Sequence, residues 1–381
     1  FDKYGIGIRA DNAIDYTIAS RQLNRIEWLA DRQDLFLGTS GAEFRATAGK
    51  QEEPFGGDVI PAVKRFTTHG SAPVQPVIIG NRLLFMDRGR KKLYGVAFDF
   101  EQDSYDSTEL TAMAEHITGD GLSIGPIAYA KRPDPKVYFV RADGELVVFT
   151  FFPAEKVLGF TRYVTTGAFE SVAVIPGALR ESDQVWVVVR RTVNGQTRRY
   201  VELFEDHHEQ LVFRDWHSLQ TDSAVVYAGL PTLTVGGLAH LEGMTVDVIA
   251  NTGTGGAFRG TTVVTGGQIT LEEAAIEVEV GLHYDSTVET MRPAIPGVVI
   301  EGVTRSWEDL WVRLLDSMAG SLNGQPLEYP ASATGAFTFY TGDLTVTGQG
   351  WDTDGRITVQ QTLPYPFTIL ALFGGLSLGN D

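Results

Sequence analysis

Apolar pairs recur at a regular spacing along the first half of the chain. The pairs are Leu35-Phe36, Leu84-Phe85, Tyr138-Phe139 and Val185-Trp186. Their first residues are separated by 84−35=49, 138−84=54 and 185−138=47 positions. A period of this size is typical of one multi-stranded blade per repeat. The pattern predicts a mainly β protein with a β-propeller-like repeat region of about four blades.

Turn residues divide these repeats into hairpins. Gly80-Asn81, Asp143-Gly144 and Asn194-Gly195 each lie between apolar alternations, and such dipeptides adopt the positive φ angles that tight hairpins need. Residues 136–152 and 184–204 are therefore each predicted to form one hairpin. Both faces of the first strand of 184–204 are apolar, as expected of a strand packed between neighbouring blades.

One short helix interrupts the predicted strands. Residues 107–118 place apolar side chains at helical spacing, and Ser107 or Thr108 could cap the first turn. We expect this helix to cover the rim of a blade, with a partner-binding groove helix as the alternative.

The local amino-acid composition changes after Glu205, where a polar, His-rich segment is followed by a Gly-rich one. We predict three parts: the propeller-like region over 1–222, a small β-barrel or sandwich over 223–300, and a β-rich segment over 301–381. Short strands are predicted at 244–250, 261–271 and 276–282.

The last part contains one ambiguous segment and one clear strand. Residues 307–318 fit either a helix or a strand, and we favour the strand. An apolar closing strand is predicted at 367–373.

Composition narrows the class of protein. The chain has 381 residues, 43% of them hydrophobic, and no Cys, which excludes disulfides and thiolate metal sites. No run of about 18 apolar residues occurs, so we predict no membrane-spanning segment. Because the chain starts at Phe1 and soon enters a blade-like pattern, we expect it to belong to a longer protein with further blades.

The charge is strongly acidic. With 48 acidic against 31 basic residues, the formal net charge is −17. Tight nucleic-acid binding relies on Lys and Arg that displace counterions, so this balance argues against it. An acidic wall is compatible with nucleic acid passing by, because like charges repel. Basic islands at 88–92, 131–132 and 190–199 are expected to be solubilising surface, with phosphate clamps or subunit contacts as alternatives.

Three segments could carry ligand chemistry. His207, His208 and Glu209, with His217 nearby, include metal-ligating types, but adjacent residues on a strand point to opposite faces, and a loop is favoured. The Gly-rich 251–260 lacks the Lys-Ser/Thr ending of a phosphate-binding loop. Residues 351–355 match only part of a calcium loop, and a β-turn is favoured. We predict no cofactor, no metal and no enzymatic activity, although a pair of carboxylates in a cleft stays open as an alternative.

Several sequence segments resemble those of one protein family. These are 78–118, AFESVAVIPG at 168–177 and QVWVVVRR within 184–205, followed by 236–253, 279–290 and 311–317. They are similar to the nozzle, or tubular tail protein B, of short-tailed phages and prophages. In that family the small domain is often labelled by a likeness to an FCCH domain of ubiquitin-activating enzymes, and no ubiquitin chemistry is implied. The family usually has a longer N-terminal region than this chain.

The resemblance implies a structural virion protein, synthesised in the host cytoplasm and located in the tail. About six copies would form a ring below the head-to-tail adaptor and conduct DNA during ejection. The implied partners are other copies of the chain, the adaptor, tail fibres or tailspikes, and DNA in transit without specific binding.

A conduit of this kind needs a lumen that repels phosphate. Our candidate channel-lining acids are Asp99, Glu101, Asp103, Asp106, Glu272, Glu273, Glu277 and Glu279, with solvated outer faces as the alternative. The candidate contact loop consists of Asn251, Gly253, Gly255, Gly256 and Arg259. Two rival functions stay open: a carbohydrate-binding or glycan-hydrolysing propeller, and a host-surface adhesin that binds through 223–300.

Overall fold

The computed structural model confirms a mainly β protein, with 59% of residues in strands and 2% helical. It describes residues 9–18, 23–32, 34–48, 55–101, 103–118, 124–177, 182–205, 219–253, 255–295, 302–330 and 339–379. The chain divides into two compact units. Unit 1 contains Phe1–Arg191 and Arg199–Phe204, and unit 2 contains Thr192–Arg198 and Glu205–Asp381.

Unit 1 is built from successive antiparallel sheets in which strand order follows chain order. The first sheet contains β1 (Ile26–Asp31), β2 (Leu35–Thr39), β3 (Glu43–Thr47) and β4 (Ala62–Thr67), and the second contains β5 (Val77–Ile79), β6 (Arg82–Met86), β7 (Leu93–Asp99) and β8 (Ser104–Glu109). The third contains β9 (Ile124–Ala130), β10 (Lys136–Arg141), β11 (Leu146–Phe152) and β12 (Val157–Tyr163), and the fourth contains β13 (Ala168–Ile175), β14 (Gln184–Val193) and β15 (Gln196–Leu203).

The recurring apolar pairs mark the same position in every sheet. Leu35-Phe36 lies in β2, Leu84-Phe85 in β6, Tyr138-Phe139 in β10 and Val185-Trp186 in β14, so each pair occupies the second strand. The repeat predicted from the sequence is therefore confirmed as four consecutive blade-like sheets.

Alternating side chains of the second strands bury both faces of the inner sheets. On β6, Leu83 and Phe85 pack into one cluster with Trp28 and Phe36 of the first sheet. Their neighbour Leu84 packs in the opposite direction, into a cluster that includes strands of the third sheet. Full burial of such a side chain stabilises by about 1.5–3 kcal/mol, so face-to-face stacking of the sheets is a main source of stability in this unit.

The third and fourth sheets continue this arrangement. Val137 and Phe139 of β10 face the second sheet, whereas Tyr138 and Val140 face the fourth. On β14, alternate valines such as Val187 fill the same cluster as Tyr138. Burial on both faces is present at β10. The prediction of a strand packed between neighbouring sheets was made for β14 and is wrong there, because Val187 and Val189 are buried whereas Trp186 and Val188 on the other face are half-buried.

Turn glycines adopt the conformations that the sequence predicts. Asn194 and Gly195 both have positive φ, at 49° and 71°, as a two-residue type I′ hairpin turn requires. Gly80 and Gly144 also have positive φ, at 57° and 92°. The predicted hairpins are therefore confirmed, with β10–β11 and β14–β15 as two of them.

Buried polar side chains fasten the segments that join successive sheets. Glu43 is fully buried, and its carboxylate accepts hydrogen bonds from Ser71 Oγ at 2.7 Å and from Thr67. Arg191 is also buried, and its guanidinium donates to both carboxylate oxygens of Glu202 and to the carbonyl oxygen of Thr166. Charged groups without water need such partners, and here they hold the connections in place.

The predicted short helix is present but smaller than expected. Helix α1 spans Glu115–Thr118, whereas Ser107 and Thr108 belong to β8 and pair with Val96 and Gly95 of β7. Met113, one of the predicted apolar helix positions, is 89% exposed. Sheet pairing outcompetes the helical spacing in 107–109.

Unit 2 begins with a four-stranded sheet. Its order is β16 (Asp222–Val235), β19 (Ile269–Leu282), β17 (Thr245–Asn251) and β18 (Gly256–Val263), and a 3-10 turn spans Ala239–Leu241. The predicted single strand over 261–271 is wrong, because β18 ends at Val263 and β19 starts at Ile269. Gly266 and Gly267, both with positive φ, form the turn between them.

Two further sheets of unit 2 share one apolar core. One contains β20 (Ser286–Glu289), β25 (Thr358–Gln361), β22 (Ser321–Leu322) and β23 (Gln325–Pro326), and the other contains β24 (Tyr340–Thr347), β21 (Arg305–Ser317) and β26 (Thr368–Leu378). Residues 307–318 are thus a strand, as favoured, and the closing strand is β26. The predicted domain limits near 223 and 300 stay predictions.

Candidate functional site

The first set of candidate acids lies together on one hairpin of unit 1. Asp99 ends β7, Glu101 and Asp103 lie in the turn, and Asp106 is on β8. Asp99 Oδ1 accepts the backbone N–H of Glu101 at 2.8 Å, and Asp103 has a φ of 47°, so two of the acids also shape the turn.

This acidic hairpin occupies one edge of the second sheet. The strand at the opposite edge, β5, lies beside β9, which in turn lies beside β13. Glu101, Asp103 and Asp106 are exposed and Asp99 is half-buried. The four carboxylates therefore present negative charge to solvent at the edge away from β5.

The second set lies on β19 of unit 2, where the four side chains differ in environment. Glu272 and Glu273 are exposed, Glu277 is half-buried, and Glu279 is buried. Asn251 Nδ2 donates to Glu277 Oε2 at 3.1 Å, which joins a candidate acid to the candidate contact loop.

Glu279 is a correction to the predicted channel lining. Its side chain is only 5% exposed, and its Oε1 accepts hydrogen bonds from Gln220 N at 2.7 Å, Thr221 N at 2.9 Å and Thr221 Oγ1 at 2.7 Å. A carboxylate enclosed in this way does not face an aqueous lumen. It attaches residues 220–221 to β19.

Burial controls the protonation of Glu279. Desolvation raises the pKa of its carboxyl group to about 7, although the hydrogen bonds from Thr221 and Gln220 favour the charged form and oppose this shift. The nearby carboxylate of Glu205 acts in the same direction as burial. The group therefore titrates near neutral pH.

A second titratable group lies on the same strand ladder and was not singled out from the sequence. His283 Nδ1 is 2.7 Å from Oδ2 of Asp247, which is buried, and His283 Nε2 is 3.1 Å from Asp285 Oδ1. The hydrogen bond with Asp247 is the main cause of a raised His283 pKa. The sequence signal that could have indicated the His283–Asp247 pair is Asp247 itself, an acidic residue between two valines of an otherwise apolar strand.

The candidate contact loop comprises the β17–β18 turn and its flanks, with Asn251 at the end of β17 and Gly256 and Arg259 on β18. Asn251 pairs with Gly256 across the hairpin, and Asn251 Oδ1 accepts the N–H groups of Gly253 and Gly255 at 2.9 and 3.2 Å. Both of those glycines have positive φ, at 108° and 109°. Arg259 donates to Thr252 Oγ1 at 3.3 Å. The predicted hairpin loop is confirmed, and its amide groups are directed at Asn251.

Carboxylates pair with three cations of the basic islands. Arg190 and Arg199 both contact Glu170, at 3.1 and 2.6 Å. Lys92 contacts Glu109 at 2.9 Å. Such pairing reduces the charge available for phosphate.

The basic island at 131–132 borders a cleft of about 350 Å³ in unit 1. Its lining includes Lys131, Arg132 and Asp183, and Asp183 Oδ2 accepts the backbone N–H groups of Lys131 and Arg132 at 2.6 and 3.2 Å. The Asp183 carboxylate offsets part of the positive charge that Lys131 and Arg132 bring to this cleft.

The predicted turn at 351–355 is present, and Asp352 accepts the backbone N–H of Gly355 at 3.2 Å. Backbone hydrogen bonds from Asp354 and Gly355 lower the Asp352 pKa.

Within the described ranges, no group of three His, Asp or Glu side chains is placed to bind a metal ion. The predicted histidine cluster at 207–217 lies outside those ranges. Of the residues the structure describes, no helix is long and apolar enough to cross a membrane.

This chain has no match among protein-family models or curated proteins.

Proposed function

We propose that this chain is a structural component of a viral tail conduit, the nozzle of a short-tailed phage or prophage. The observation that carries the proposal is the stack of blade-like sheets, in which β6 and β10 are buried on both faces. Close-packed interiors of this kind are stiff and have few voids. A wall that conducts pressurised DNA needs that stiffness.

Charge supports the same role. The net charge is −17, and the Asp99–Asp106 hairpin presents exposed carboxylates. Arg190, Arg199 and Lys92 contact carboxylates rather than standing as free cations. A surface with this balance lets a polyanion pass without binding it.

In this proposal, about six copies form a closed ring by heterologous contacts. The ring lies below the head-to-tail adaptor, contacts tail fibres or tailspikes, and conducts DNA without catalysis. The chain is synthesised in the host cytoplasm and ends in the virion tail.

The test is the mass of the full chain by mass photometry, alone and mixed with the cognate head-to-tail adaptor. We expect a discrete complex with about six copies in the mixture. Folded chain at micromolar concentration that does not join the adaptor would refute the nozzle.

A pair of variants links this test to the stacked sheets. Phe139→Ala removes a side chain that is 1% exposed, and such a truncation costs about 3–5 kcal/mol. We expect it to reduce ring assembly. Met113→Ala alters an 89% exposed side chain and is the matched control, with assembly like wild type.

A further inference from the structure

An aromatic pair lies on the outer face of the three-stranded sheet β24–β21–β26. Trp311 of β21 is directly opposite Phe373 of β26, and the two side chains are 38% and 40% exposed. Their ring planes are parallel within 3° and their centroids are 6.5 Å apart. At that separation neither ring covers the face of the other, so aromatic surface stays open to solvent.

A polar pair borders these rings within the same unit. Arg313 pairs with Asp343 across β21 and β24, and its Nε and Nη2 donate to the two carboxylate oxygens at 2.7 and 2.8 Å. The Arg313 guanidinium also lies 5.4 Å from the centroid of the Phe373 ring. The two hydrogen bonds hold the Arg313–Asp343 ion pair, called the Arg313–Asp343 fork below, in one orientation. The pair carries little net charge, and its remaining N–H groups and carboxylate lone pairs can make further hydrogen bonds.

Two cross-strand neighbours of this group are small or polar. Thr345 is opposite Trp311 on β24, and Ala371 is opposite Arg313 on β26. The aromatic surface is therefore one cross-strand pair wide. A stable protein interface needs about 800 Å² and 20–30 residues on each side, whereas the aromatic surface described here consists of two residues.

We propose that Trp311 and Phe373, with Arg313 and Asp343, form a binding site for a neutral glycan. One face of a pyranose ring carries C–H groups with partial positive charge, which match the negative face of an aromatic ring. The ring hydroxyl groups both donate and accept, as the Arg313–Asp343 fork does. This site does not depend on the proposed conduit.

Charge selects against the other ligands that stack on aromatic rings. Single-stranded nucleic acid stacks bases on such rings but needs a basic groove for its backbone, and here the nearest cation is neutralised by Asp343. A neutral sugar has no such requirement.

The test uses the full chain and three neutral probes, namely cellohexaose, maltohexaose and chitohexaose. Calorimetric titration, with tryptophan emission as a second readout, gives each affinity. We expect at least one probe to bind and Trp311→Ala to weaken that affinity at least tenfold. Trp311→Tyr keeps an aromatic face and should retain binding. Trp351→Ala, which removes a 59% exposed tryptophan outside the strands of this sheet, should bind like wild type.

Three results would overturn the proposal. The first is that no probe binds at millimolar concentration while near-ultraviolet circular dichroism shows a folded chain. The second is equal weakening by Trp351→Ala. The third is that Trp311→Ala leaves every sugar affinity unchanged and instead abolishes ring assembly with the adaptor, which would make this face a subunit contact and leave the conduit proposal standing. Assembly by Trp311→Ala is otherwise expected to match wild type.

Discussion

Unit 2 should lose stability as pH rises from acidic to neutral, because it buries the carboxyl group of Glu279. The perturbation is a change of pH, with Glu279→Gln as the variant that cannot titrate. Burial raises the folded pKa of this carboxyl group from its ordinary value of 4.5 to about 7. Below pH 4.5 the group is protonated in both states, so the free energy of unfolding does not change with pH on its account, and the stabilisation linked to the raised pKa is fully present.

Between those two pKa values the unfolded chain releases a proton that the folded chain keeps. Stability therefore falls as pH rises through this window and levels off above pH 7. One pKa unit corresponds to about 1.4 kcal/mol, so the full shift corresponds to about 3 kcal/mol, and about 2 kcal/mol of it falls between pH 5.5 and pH 8. His283 acts in the same direction, because its raised pKa stabilises the fold at acidic pH and this contribution is lost as pH rises through the folded pKa.

The assay must report on unit 2 alone, because two units need not unfold together. Hydrogen-exchange mass spectrometry in increasing urea, measured on peptides from β17 and β19, gives the free energy of opening for this unit. The quantity to compare is wild type minus Glu279→Gln at each pH, since other carboxylates and His283 titrate in both proteins.

We expect this difference to move by about 2 kcal/mol in favour of Glu279→Gln between pH 5.5 and pH 8. An equal difference at both pH values would show that Glu279 is not enclosed as described. A shift in the opposite direction would mean that the three hydrogen bonds to its Oε1 outweigh desolvation and that the folded pKa is lowered.

Two further predictions concern unit 1. Arg191→Ala should destabilise it by about 3–5 kcal/mol, because Glu202 would lose its buried partner; a midpoint of urea unfolding that does not change would contradict the described contacts. Gly38→Ala should cost about 1–3 kcal/mol by overpacking, because the new Cβ would lie 2.1 Å from Trp28 Cε2. Gly159→Ala is the control, since its Cβ would meet nothing within 4 Å, and equal thermal melting of both glycine variants would refute the packing argument.

The repeat could be predicted because its signal is local. In β6 and β10 every residue of a short run is apolar, since neighbouring sheets cover both faces, and such a run recurs in each sheet of unit 1. The turns could also be predicted from the sequence, because a two-residue hairpin turn needs positive φ at both positions and Asn194-Gly195 adopts it readily.

The ends of helices and strands depend on a competition between local preference and pairing with other strands, which the sequence alone does not show. Ser107 fits a helix cap and also fits a strand opposite Val96, and the partner strand β7 decides between the two. Tertiary pairing commonly overrides such local preferences. The exposed Met113 shows that a helical spacing of apolar residues need not mark a buried face.

The environment of Glu279 could not be predicted for a related reason. The alternation in 276–282 correctly places Glu277 and Glu279 on the face opposite Val278 and Val280, which fill the core. A period of two assigns a residue to a face but does not say whether that face meets water. Here residues 220–221, almost 60 positions earlier in the chain, cover Glu279 and leave Glu277 half-buried. Two carboxylates of one alternating strand thus differ in burial because of a contact that no local pattern records.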